Sequence, residues 1–199
     1  MMKMNEMRGY LAGILIVWVL IGACTNTGNR NRSNKYGTKS IDSAQNLNRQ
    51  KFLADSLNRQ SSNYLVKAYS NSLFTIKLSK AAIDREVHPA THRAATFLIE
   101  KQSDFNKKTA HLAENLNISV PENIGNKQEK KLDRLKNNDG FEEHYFRTLL
   151  DLHEKTLRIL KEAENSSKTA IKDWGKENRT HYLQYIDTIT TGQKIIDSL

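Results

Sequence analysis

Beyond residue 42 the chain follows a helical spacing of apolar positions. Apolar side chains recur three and four residues apart, which places them on one face of an α-helix, and the period-two alternation of strands is missing. Proline stands only at 89 and 121, so long stretches run unbroken. A short amphipathic helix is expected within 43–60, then a long one near 62–84 carrying Leu65, Ala68, Tyr69, Leu73, Ile76 and Ile83. Pro89 suits the first turn of a second long helix, which runs to about Leu116 with the stripe Ala95, Leu98, Gln102, Phe105, Thr109, Leu112 and Leu116. A charged connector containing Leu132 and Leu135 follows Pro121, and Asp139-Gly140 turns the chain into a third helix over about 141–165. That helix has two adjoining stripes, Tyr145, Leu149, Leu152, Ile159 and Phe146, Leu150, His153, Leu157, Leu160. The fourth, about 167–197, offers Ile171, Trp174, His181, Tyr185, Ile189 and Ile195. Narrow stripes on four long helices are best buried against each other. Residues 61–199 therefore read as an all-α antiparallel four-helix bundle, with 43–60 as a short additional N-terminal helix.

The N-terminus follows a different logic. Lys3 and Arg8 precede an apolar run from Tyr10 to Ile21, and small residues Gly22 and Ala23 lead to Cys24, the single cysteine of the chain. Basic, apolar and small-residue regions in that order predict a secretory signal peptide over 1–23 rather than a membrane-spanning helix, which needs about 20 apolar residues. Ile21-Gly22-Ala23-Cys24 resembles the bacterial lipobox, which implies cleavage before Cys24 and covalent lipid on its thiol. Several acyl chains anchor stably where one binds only marginally. The expected product sits on a membrane without crossing it. Thr25, rather than Asp, after the cysteine points to an outer membrane and a domain facing the periplasm.

Residues 24–42 are rich in Asn, Gly, Ser and Thr, with Arg30, Arg32, Lys35 and Lys39, and read as a flexible basic tether. Its cations could rest on anionic headgroups, although a solvated linker is the simpler reading. Overall, 31 Lys and Arg against 22 Asp and Glu in 199 residues give a net charge of +9. A basic balance suits nucleic acid, but export removes that partner, and the lysines are spread over many helical turns. Without cysteine beyond residue 24, disulfides and thiolate chemistry are excluded from the folded part.

Gly140-Phe141-Glu142-Glu143-His144-Tyr145 through Leu150, with His153-Glu154-Lys155, resembles a signature of the exported "domain of unknown function 4142" family. Tyr64 to Ala68, Ile76, Leu78, Asn106, Leu112-Ala113, Val120-Pro121 and His181-Tyr182 agree with it. The resemblance covers about residues 60–195 and implies a ferritin-like bundle in the bacterial envelope, with no established activity. Departures are specific. Thr75 stands where members carry an acidic residue, Lys101-Gln102 where they have Asp-His, and Leu152-His153 where they have a second Asp-His.

Candidate chemistry is sparse. A di-iron centre needs facing carboxylates and Glu-x-x-His, and no Glu-x-x-His occurs. His153 and His181, both on apolar stripes, are expected to share an interior between the third and fourth long helices, with Gln102 or a Tyr hydroxyl as partner. Together His153, His181 and Gln102 form a candidate polar core or ligand site, but two histidines do not complete a zinc site. No catalytic residue, metal or cofactor is assigned beyond the lipid on Cys24. Asp42-Ser43-Ala44 and Asp55-Ser56-Leu57 resemble an exported-protein O-glycosylation sequon, placing Ser43 and Ser56 as candidate acceptors near the tether. Two function classes follow. One is a non-catalytic envelope interaction or stress-associated module, held by its lipid anchor and binding an envelope protein through a helical face or the groove beside the fourth helix. The other is a degenerate ferritin-like metal-binding redox protein.

Overall fold

The computed structural model describes residues 40–199, and every regular element among them is α-helical. The expected signal peptide, Cys24 and the tether through residue 39 lie outside the described residues. The helices are α1 (Ile41–Lys51), α2 (Ser56–Ile83), α3 (Pro89–Asn115), α4 (Asn126–Lys136), α5 (Phe141–Ala163) and α6 (Thr169–Ile196). Among the described residues no helix is long and apolar enough to cross a membrane.

Local chemistry corrects the expected 43–60 helix. Ser40 caps α1, its Oγ accepting from the Ser43 N–H at 3.4 Å, so residues 41 and 42 belong to this helix and not to the tether. The chain then turns at Phe52, whose ring is buried. Asp55 caps the next helix, accepting from the Asn58 N–H at 2.9 Å. Such a cap is worth about 1 kcal/mol, and it starts the long helix at Ser56. Pro89 does occupy the first turn of α3. Ahead of it, the His88 N–H donates to both Glu142 carboxylate oxygens at 3.1 and 3.2 Å, and the Thr91 hydroxyl also donates to Glu142. The start of α5 thereby places a negative charge on the N-terminus of α3.

The charged connector also departs from expectation, because Asn126–Lys136 is helical. Two buried leucines, Leu132 and Leu135, are too few to read as a stripe. Tertiary contacts hold the helix: Lys77 pairs with Glu129 at 2.6 Å, Lys131 lies over the Phe74 ring, and Gln128 Oε1 accepts from the Ser70 hydroxyl at 3.3 Å.

Together the helices make a bundle. α2 packs on α3 and α5, α5 on α6, and α3 on α6, while α1 lies against α2, and α4 against α2 and α5. On α2 the expected Leu73, Ile76 and Ile83 are only partly buried. Ser61, Ser62, Ser70, Ser72, Thr75 and Ser79 are buried beside Phe74 and Leu78 instead. α2 has neighbours on several sides, so small side chains let them approach. The hydroxyls are satisfied locally or across the core: Thr75 donates to the Asn71 carbonyl at 3.1 Å, and Ser79 meets the Tyr145 hydroxyl at 3.1 Å. Close approach also explains Gly175 on α6, where a Cβ would come within 2.8 Å of the Leu160 carbonyl oxygen and 3.0 Å of the Glu164 nitrogen.

Candidate functional site

The centre of the bundle holds a chain of hydrogen bonds through three helices. His153 on α5 and Gln102 on α3 are buried, as is Tyr182 on α6. His153 Nδ1 lies 2.7 Å from the Leu149 carbonyl, which only accepts, so the proton sits on Nδ1 and Nε2 is an acceptor. Gln102 Nε2 supplies the donor at 3.1 Å. Its Oε1 then accepts from the Tyr182 hydroxyl at 2.9 Å. Each atom in this chain finds a matching partner. Burial lowers the His153 pKa to about 4, with the Leu149 hydrogen bond opposing the shift, and burial pushes the Tyr182 phenol well up. The imidazole is neutral at pH 7. Its ring also packs against Tyr182 and Tyr185, at centroid distances of 5.4 and 6.2 Å.

His181 does not join this interior. It is exposed on α6, stacked beside Tyr185 at 6.5 Å, and the neighbouring Tyr182 takes the inward place expected for it. The buried face of α6 runs through Ile171, Trp174, Asn178, Tyr182, Tyr185, Ile189 and Gly192. The expected stripe shares Ile171, Trp174, Tyr185 and Ile189 with this face, and only in the turn between Trp174 and Tyr185 does a step of one residue, about 100°, put Tyr182 inward and His181 outward. Asn178, a buried amide donating to the Trp174 carbonyl at 2.8 Å, lies on the same face and was not in the expected stripe.

α3 and α6 are the most loosely packed of the neighbouring long helices. Between them lies a groove of about 760 Å³ lined by Asp104, Lys107, Lys108, His111 and Leu112 from α3, and by Ala170, Asp173, Trp174, Glu177 and Asn178 from α6. A second hollow of about 360 Å³, with Phe97, Phe105, His181 and Tyr185, shares Asp104, Lys108 and Asn178 with the first, making one trough along the seam. Trp174 is fixed at its wall by donating Nε1–H to Thr109 Oγ1 at 3.1 Å. Lys108 and Glu177 pair across it at 2.9 Å, both more than half exposed, so the bridge is a weak one that a ligand can displace. The volume is typical of small-ligand and side-chain pockets.

Residues 48–188 match the family described as Domain of unknown function (DUF4142). The chain belongs to this family. Neither a curated protein nor a solved structure matches it. At the positions where the family resemblance implies histidines on two helices, the DUF4142 chain brings Gln102 and His153 together in the core. Thr75 is buried too, in place of an acidic side chain. Among the described residues no three His, Cys, Asp or Glu side chains gather as a metal-ligand set. Ser43 and Ser56 are both exposed, in the first turns of α1 and α2.

Proposed function

We propose that the protein is a lipid-anchored module of the bacterial envelope that binds a protein partner without catalysing a reaction. Its α3–α6 groove receives an apolar or aromatic side chain of that partner. The groove carries this reading: Leu112, Ala170 and the edge of the otherwise buried Trp174 make an apolar floor, and Lys107, Lys108, Asp173 and Glu177 provide a rim of both signs. The fold belongs, in this reading, with ferritin-like antiparallel four-helix bundles. Support comes from short turns joining α2 to α3 and α5 to α6, and from α4 lying on the crossover that returns the chain to the α2–α3 corner. The lipobox residues Ile21 to Cys24 support the anchor, and Thr25 supports an outer-membrane address facing the periplasm.

Two measurements test the proposal. Cys24→Ser should release the protein from the membrane fraction, and an unlipidated wild type that stays membrane-bound would refute the anchor. The chain has two tryptophans, and one, at 18, lies in the expected signal peptide, so Trp174 would be the single tryptophan of the mature protein, excited selectively at its red edge. Purified partner should shift Trp174 emission and lose affinity about tenfold or more for Ala170→Arg, which fills the groove. Binding unaffected by that substitution would refute the groove. Stoichiometric iron, manganese or zinc would instead favour the redox alternative.

A further inference from the structure

The charge of the folded part is unevenly placed. From Ser56 to Ile83, α2 has no acidic residue, yet it carries Arg59, Lys67, Lys77 and Lys80. α4 adds Lys127, Lys130, Lys131, Arg134 and Lys136 against Glu129 and Asp133. The two helices pack together, with Lys77–Glu129 and the Lys131–Phe74 contact across their seam. Among the described residues, Lys67, Lys80, Lys127, Lys130, Lys131 and Arg134 form no ion pair, and all six are exposed. The long helices α3, α5 and α6 are nearly balanced in sign.

The start of the folded chain lies on this same side. Ile41, at the head of α1, lines a cleft with Lys67 and Gln128, and with Arg158, Glu162 and the Asp151-paired Lys155 of α5. The preceding residues, 25–39, hold four cations and no acid. We infer that the α2–α4 face is where the folded domain rests on an anionic lipid surface, an inference that builds on the membrane-anchor reading. Continuity between a basic connecting segment and a basic helical face favours a planar anionic surface over a partner elsewhere on the domain. Each cation near such a surface contributes additively and is screened by salt. The α3–α6 groove, lined by neither α2 nor α4, is left free for its partner.

The test uses the mature chain with Cys24→Ser, so that no acyl chain contributes, sedimented with phosphatidylcholine vesicles with or without about 30% phosphatidylglycerol. Binding should require the anionic lipid and weaken with salt. Lys130→Gln, Lys131→Gln and Arg134→Gln together should reduce it about a hundredfold. Lys107→Gln, Lys172→Gln and Lys176→Gln remove the same charge from α3 and α6 and should have a much smaller effect. Circular dichroism melts confirm that both triple variants fold. Equal losses in the two variants would reduce the effect to net charge and overturn the proposal. So would a loss that follows Leu53→Asp and Leu57→Asp at the exposed α1–α2 corner, or binding to heparin or DNA through this face without vesicle binding. A missing lipid mass on wild-type Cys24 would defeat the anchor reading alone, whereas absent vesicle binding would defeat the docking face alone.

Discussion

Acid should loosen this bundle through His153. In the folded protein its pKa is about 4, against an ordinary value of 6.5, because the buried ring would have to carry a charge away from water. The groups around it, Gln102, Tyr182, Tyr185 and the Leu149 carbonyl, bring no negative charge at acidic pH. The unfolded chain therefore binds this proton first. Stability is fully present above about pH 6.5, falls as pH drops between about 6.5 and 4, and levels off below. A difference of roughly two and a half pKa units corresponds to about 3 kcal/mol at the end of that window. Urea unfolding at a series of pH values checks the magnitude, with His153→Gln as reference. That variant loses hydrogen bonding and packing at pH 7, at a cost of about 1 to 3 kcal/mol, but it has no group to titrate there. Carboxylates titrate in both proteins, so the difference between the two curves isolates the histidine. The gap should shrink by roughly 2 to 3 kcal/mol on going to about pH 4.5. Parallel curves over this range would refute the neutral, buried imidazole.

Three further substitutions probe the same structure. Tyr182→Phe removes the donor to Gln102 Oε1 and should cost about 1 to 3 kcal/mol in chemical denaturation, more than Tyr185→Phe at the neighbouring buried ring, which takes no part in that hydrogen-bond chain. Gly175→Ala should lower the melting temperature despite alanine's better helix propensity, since its Cβ would meet the backbone of α5 at 2.8 Å. Glu142→Gln should destabilise by about 1 kcal/mol, or a melting shift of about 2 to 4 °C, through loss of the charge at the start of α3. A variant as stable as the wild type in calorimetry would remove that cap from the account.

The long helices were legible because each is amphipathic over several turns, and because punctuation was strong where they meet. Pro89 and Asp139-Gly140 mark two helix starts by local stereochemistry alone, and the Leu98, Gln102, Phe105, Thr109 stripe of α3 is the seam that the structure buries. His153 and Gln102 were likewise placed on the right faces, and their mutual hydrogen bond follows from those faces meeting. Ser-rich burial on α2 was illegible, since a serine is buried only when neighbours crowd it, and the neighbours are distant in sequence.

By itself, the sequence determined the helical class, most helix boundaries and the family, all set by local spacing, caps and prolines. Tertiary structure decided the rest, through contacts between distant residues. Packing on α2 and α5 turned the connector into α4, and packing against α3 and α5, where Tyr182 reaches Gln102 and the His153 ring, placed Tyr182 rather than His181 inward. It also gathered lysines that look dispersed along the chain onto one face. Periodicity fixes the angle between side chains on one helix, whereas only the neighbouring helices fix which of those angles points inward.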